Sequence, residues 1–299
     1  MIKLKTVNGE TIPVVGLGTY PFQGKEMANV VKEALKIGYR LIDTSDDYRG
    51  ESGIGLAIDE LSEIGLKRED VFLQTKITDD DSYDDEPLAG FFFNKNSRFM
   101  KKHTVEDIVR EKVDNSLYEM HTDYLDSLLI HQPYPDYYEE IWEVLIKLKK
   151  EGKVRYIGVS NFYERHLKKL NYSNEVPEIN QIYMSPIGIK KNDVDYCNKE
   201  GIQLMTYSPL IDINAGRLSV GETLFHELQR KYGKTLAQIV LRWNVERGSI
   251  PLARSRNEER LRENFDIMSF SLTKDEVDCI SELNRDFQYL PTSRICPGF

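Results

Sequence analysis

No run of apolar residues in the sequence approaches the ~20 needed to span a bilayer, and the mean hydropathy is −0.48. Cysteine is scarce: Cys197, Cys279 and Cys296 lie far apart in a chain of 299 residues. That spacing argues against a disulfide framework and against a Cys-x-x-Cys metal knuckle. The five histidines include none at metal-ligand spacing from another, so no metal is expected. Basic residues are the minority, 40 Lys and Arg against 49 Asp and Glu, for a formal charge of −9. This balance disfavours a general binder of nucleic acid or anionic membrane, while permitting a local basic pocket. The opening MIKLKTV has no apolar stretch behind its lysines and does not read as a secretory signal. A cytoplasmic protein is expected.

Glycine motifs for phosphate are missing as well. Gly16-Leu17-Gly18 is not continued by a third glycine, and Gly53-Ile54-Gly55 meets Ile58. Neither a G-x-x-x-x-G-K-[ST] loop nor an H-E-x-x-H pair occurs. A Rossmann dinucleotide site and a P-loop are therefore unsupported.

What is present is a serial alternation of short β-rich runs and longer helical stretches. Apolar residues are 40% and charged residues 30% of the chain, ordinary for a globular protein with a large core. Ile2-Lys3-Leu4-Lys5, Asn8-Gly9 and Thr11–Val14 predict an N-terminal β-hairpin. Eight strands are then expected: Val15–Thr19, Tyr39–Thr44, Val71–Ile77, Leu125–His131, Val154–Ser160, Glu178–Met184, Ile202–Ser208 and Ser249–Ala253. Helical periodicity fills the intervals, as in Met27–Ile37, Thr104–Met120, Tyr137–Glu151 and Thr223–Gly248, the last broken near Gly233. Several strand runs are apolar without alternation, which suits parallel strands covered on both faces. Chains of this length form either about two domains or one α/β barrel. The series predicts a single (β/α)8 TIM barrel over residues 1–299, with its active site at the C-terminal strand ends; an open doubly wound sheet competes.

Two segments exceed a minimal barrel. Residues 78–103 hold the acidic TDDDSYDDE, then Phe91-Phe92-Phe93 and a basic end. They read either as a solvated insertion or as a lid over the mouth, since three adjacent phenylalanines are costly to leave in water. The tail 287–299, rich in proline and aromatics, either reaches the same rim or frays.

The expected strand ends carry polar groups: Asp43, Lys76, His131, Ser160-Asn161, Gln181 and Tyr207-Ser208, with Tyr48 in the loop after Asp43. Singly, each has a bland explanation as a cap or a solvated side chain. Together they set a phenol, an ammonium, a carboxylate and an imidazole at one mouth. A phenol is a weak acid at neutral pH; a nearby ammonium favours its ionised form and a carboxylate fixes the ammonium. An imidazole can orient a carbonyl. Such a set protonates a carbonyl oxygen while hydride reaches its carbon.

At these residues the chain strongly resembles the aldo-keto reductase family. The matching segments are Gly16–Tyr20, GYRLIDTSDDYRGESGIGLAI (38–58), VFLQTKI (71–77) and LLIHQPYP (128–135). They continue in family order through EGKVRYIGVSNF (151–162), EINQIYMSP (178–186), TYSPL (206–210) and RSRNEERLREN (254–264). The resemblance implies NADP(H) bound without a Rossmann fold, and reduction of a small-molecule aldehyde or ketone to the alcohol. It makes Tyr48 the proton donor, Asp43 and Lys76 its tuning partners and His131 the carbonyl-orienting group. Ser160, Asn161 and Gln181 would hold the nicotinamide carboxamide and Tyr207 would stack on the ring. Arg254, Ser255 and Arg260, with Asn264, would embrace the 2′-phosphate, and guanidinium groups do suit phosphate. Thr19, Tyr20, Asp43, Ser208 and Leu210 fall in the same cofactor segments. No protein partner is predicted. Departures from the family pattern are Gly50 for an Asn, Gln132 for a Trp, Ile77-Thr78 for a pocket aromatic, and Tyr183 and Ser185 for Glu and His. Two other readings are open: a non-catalytic NADP(H)-binding member of the fold, and glycoside hydrolysis, for which only Asp43 is well placed.

Overall fold

The computed structural model describes residues 3–5, 11–78, 103–134, 137–170, 175–291 and 295. The Asn8-Gly9 turn and the phenylalanine cluster of the expected lid lie outside them. Strands β1 (Lys3–Lys5) and β2 (Thr11–Pro13) pair antiparallel, Lys3 opposite Pro13, as the hairpin reading expects. Eight further strands form a closed barrel in which neighbours run parallel. These are β3 (Gly16–Gly18), β4 (Leu41–Asp43), β5 (Phe72–Ile77), β6 (Leu125–Ile130), β7 (Val154–Ser160), β8 (Ile179–Tyr183), β9 (Gln203–Tyr207) and β10 (Ser249–Ala253). The barrel closes through β10, whose Leu252 and Ala253 pair with Gly16 and Leu17 of β3. The open doubly wound sheet is thereby excluded.

Helices α1 (Gly24–Ile37), α2 (Glu51–Asp59), α3 (Val105–Glu119), α4 (Tyr138–Lys150), α5 (Glu164–Leu170), α6 (Lys191–Glu200), α7 (Ile211–Asn214), α8 (Glu222–Tyr232), α9 (Leu236–Glu246), α10 (Glu258–Phe265) and α11 (Lys274–Ser281) surround it. Among the described residues, no helix is long and apolar enough to cross a membrane. Thr104, Thr235 and Thr273 start α3, α9 and α11 with capping boxes to Asp107, Gln238 and Glu276, satisfying amides the first turn cannot pair. Gly233 ends α8 in the left-handed region, at φ 62°, which is the break expected there.

The core has two layers. One packs the outward strand residues against the helices, with Trp142, Trp243 and Phe162 buried. The other fills the barrel floor with Leu41, Phe72, Leu129, Tyr156, Ile179, Met205, Ile250 and Leu252, and Ile12 of the hairpin joins it. Strand period two then dictates what lies above that floor. Two residues further along come Asp43, Gln74, His131, Gly158, Gln181 and Tyr207. Gly158 is needed there, because a Cβ would meet the Ile179 carbonyl oxygen at 2.5 Å.

Candidate active site

Asp43, the last residue of β4, is buried, and its Oδ1 accepts from three donors. Lys76 Nζ donates at 2.8 Å, Gln74 Nε2 at 2.7 Å and Gln181 Nε2 at 2.8 Å. Lys76 also donates to the Thr44 carbonyl at 2.6 Å. Its side chain is fully buried, a position an ammonium holds only when paired. Thr19 Oγ1 donates to the Asp43 carbonyl at 2.8 Å, tying β3 to β4.

A single 3-10 turn, Asp46–Tyr48, follows β4 and carries Tyr48 over this pair. Lys76 Nζ lies 5.2 Å from the Tyr48 ring centre, and the His131 ring packs edge-on to Tyr48 at 5.8 Å. Tyr20, largely exposed, packs edge-on to Tyr48 at 5.1 Å. All four residues expected to form the reactive set are therefore brought together. The electrostatics differ from the sequence expectation that the ammonium lowers the phenol. Burial, followed by the charges of Asp43 and Asp47, holds the Tyr48 phenol well above its ordinary value. Burial is the largest of these causes, and Lys76 gives its hydrogen bonds to Asp43 and Thr44. His131 is shifted the other way, to about 3, by burial and then by Lys76, so its imidazole is neutral.

The strand ends beyond continue the wall. Asn161, just past β7, and Ser208, just past β9, hold φ of 62° and 50°, left-handed conformations that turn the chain at the cavity rim. Asn161 Nδ2 donates to the His131 carbonyl at 3.1 Å, and Tyr207 donates to Asn161 Oδ1 at 3.0 Å. Ser160 donates to the Gln181 carbonyl at 2.9 Å. One cavity of about 750 Å³ joins Tyr48, His131, Asn161, Gln181 and Tyr207 to Leu210, Arg254, Ser255, Arg260 and Asn264. Of the described tail residues, Tyr289, Leu290 and Ile295 line it too.

At the far end, Asn257 caps α10, accepting from the Arg260 amide at 2.9 Å. Neither Arg254 nor Arg260 is ion-paired with a described residue, whereas Arg256 and Arg262 face Glu26 and Glu258. Two guanidinium groups beside a helix N-terminus fit a phosphate. A cavity with that basic end and an amide-lined, aromatic middle fits an extended dinucleotide.

A family model described as "Aldo/keto reductase family" matches residues 14–285. The chain belongs to this family. It is 37% identical to a glyoxal reductase of Bacillus subtilis over 285 residues, covering 95% of this chain and 93% of that one. It is 33% identical to the methylglyoxal reductase DkgA of Escherichia coli, covering 94% and 93%. The aldo-keto reductase of Bombyx mori in complex with NADP superposes with a TM-score of 0.82 at 30% identity, covering 98% and 96%.

This aldo-keto reductase site has residues that the sequence reading passed over. Gln74 looks like part of an apolar strand, although its two-residue offset from Lys76 was a usable signal. Ser45 and Thr78 contact His131, and nothing in their local sequence marks them. Glu51 opens α2 and is buried against β5 and α3, where Thr75 Oγ1 and Ser116 Oγ donate to it at 2.7 and 3.0 Å. Burial outweighs those hydrogen bonds and raises its carboxyl to about 7. A raised carboxyl means the folded state binds more protons than the unfolded chain between pH ~4.5 and ~7. Stability is therefore fullest below pH ~4.5 on this account, and falls by about 3 kcal/mol as pH rises through 7. Glu51→Gln should remove that slope and leave the protein more stable than the parent at pH 8, read by urea denaturation at pH 5 and 8. An unchanged slope would place Glu51 outside this linkage.

Proposed function

We propose that this enzyme reduces small aldehydes and α-dicarbonyl compounds, with Tyr48 delivering the proton, and that residues 1–299 act as one catalytic domain. The enzyme is an NADP(H)-dependent oxidoreductase of the aldo-keto reductase family. The observation that carries the proposal is the placement of Tyr48 between the buried Lys76–Asp43 pair and His131 at one end of the cavity. Bound NADPH supplies a hydride to the carbonyl carbon. Tyr48 stands ready as an acid, because its burial keeps the proton on the phenol through the working pH range. As negative charge grows on the substrate oxygen, that proton moves to it, and the nearby Lys76 ammonium offsets the charge left on Tyr48. His131, neutral, holds the carbonyl oxygen through Nε2. Asp43 keeps Lys76 in place.

Ser160, Asn161 and Gln181 are assigned to the nicotinamide carboxamide, Tyr207 to its ring, and Arg254, Ser255, Arg260 and Asn264 to the 2′-phosphate end. Thr19, Tyr20, Asp43, Ser208 and Leu210 complete the cofactor wall. Asp47 and Gln132, which line the cavity, give it a polar character suited to small oxygenated carbonyls, and the relatives named for glyoxal and methylglyoxal reduction support that class. We place the activity in the cytoplasm, where separated thiols such as Cys197 and Cys279, both free, stay reduced. The direct test is NADPH oxidation with an α-dicarbonyl, a simple aldehyde and a bulky ketone. The bulky ketone should be the poorest substrate by kcat/KM; turnover of it alone would overturn the substrate class.

Arg260→Ala should weaken NADPH much more than NADH, by tenfold or more, since a charge-assisted hydrogen bond contributes about 1.5–3 kcal/mol. Fluorescence titration with both cofactors reads the difference. Equal losses would move Arg260 away from the 2′-phosphate.

A further inference from the structure

We propose that the hydroxyls of Thr78 and Ser45 are positioning groups for His131, fixing the imidazole as the tautomer that carries its hydrogen on Nε2. The proposal rests on the role of His131 given above. His131 Nδ1 faces two hydroxyls that do not line the cavity, 2.6 Å from Thr78 Oγ1 and 3.1 Å from Ser45 Oγ. That leaves Nε2 as the nitrogen on the substrate side. A neutral imidazole has one hydrogen, and the bond made at one nitrogen decides what the other offers. Nε2 can hold a carbonyl oxygen only if it bears that hydrogen, which requires Nδ1 to accept.

The distances favour acceptance. With Ser45 donating to Thr78 and Thr78 donating to Nδ1, the two hydroxyl hydrogens occupy contacts of 2.9 and 2.6 Å. In the opposite polarity Nδ1 donates to Thr78, and the hydroxyl hydrogens end on Asp47 at 3.3 Å or Asp46 at 3.4 Å. These are long for O–H···O bonds, whose usual range is about 2.5–3.0 Å. Asp46 is also served already, by the Thr78 amide at 3.1 Å and by Lys112 at 2.8 Å. Thr78 follows directly on β5 where the family pattern usually places a pocket aromatic, so the position exchanges an apolar wall for a hydroxyl aimed at the imidazole.

The test combines 15N NMR of the histidine ring with kinetics on an α-dicarbonyl. In the parent enzyme, with and without NADPH, the His131 hydrogen should reside on Nε2. The double variant Thr78→Val with Ser45→Ala removes both donors and leaves the Asp47 carboxylate 3.8 Å from Nδ1. The hydrogen should then move to Nδ1, and kcat/KM should fall about 10-fold to 100-fold, the scale known for groups that orient metal-bound histidines. NADPH affinity should not change, and Thr78→Ser should keep activity within about threefold of the parent. A parent His131 protonated on Nδ1, or a folded double variant within about twofold of parent activity, would overturn the proposal. The parent spectrum decides the matter even if the double variant does not fold. His131→Ala separates the two levels: if it retains full activity, the role of His131 itself fails; if it loses activity while the double variant does not, only the hydroxyl pair fails.

Discussion

Tyr48→Phe is expected to lose carbonyl reduction by about 10²–10⁴ in kcat, the usual contribution of a positioned general acid, while NADPH binding stays nearly unchanged. The substitution removes one hydroxyl and keeps the ring that packs against Tyr20 and His131. It also keeps the aromatic face 5.2 Å from Lys76 Nζ. Folding and the cofactor trough should therefore survive, and the loss should fall on kcat. Single-turnover absorbance of NADPH, together with a fluorescence titration of the cofactor, distinguishes the two quantities. A folded Tyr48→Phe enzyme that turns over at the parent rate would assign the proton to another donor. His131 is the poorest alternative, since its neutral imidazole holds a second proton only near pH 3.

The barrel strands were legible because parallel strands buried on both faces are short apolar runs. Val154–Ser160 and Ser249–Ala253 match the expected limits residue for residue. Their ends were legible because the last inward residue is polar wherever a site needs it, as at Asp43. Helix α11 went unread for want of a strand behind it, although Thr273-x-x-Glu276 is a capping box visible in the sequence. The interior polar layer was harder. Gln74 sits among Phe72, Leu73, Thr75 and Ile77, and only the assumption that β5 points alternate residues inward separates it from them. Ser45 and Thr78 were hidden for a different reason. Their contact to His131 joins positions 86 and 53 residues apart, and no local pattern carries that pairing. Asp46 and Asp47 are two adjacent acids in the loop after Asp43, yet one pairs with Lys112 at 2.8 Å and the other raises the Tyr48 phenol. The first effect exists only once α3 and the turn are folded together.

Lys76→Met should damage stability and activity together. The side chain volume is nearly kept, but Asp43 would remain buried beside two amide donors, Gln74 and Gln181, with no cation. Breaking a buried pair at one partner costs about 3–5 kcal/mol, because the remaining charge is uncompensated. The two amides should hold the loss toward the lower figure. Activity should fall by about 10²–10³, the scale for removing one preorganised group that stabilises developing charge. The double variant Lys76→Met with Asp43→Asn separates these effects. It leaves no buried charge, so much of the stability should return, whereas activity should not, since nothing then offsets the charge on Tyr48. Urea denaturation and kcat/KM on the parent, both single variants and the double variant give the full cycle. If the double variant regained activity along with stability, Lys76 would be a structural cation, and the acid strength of Tyr48 would have to come from elsewhere in the cavity.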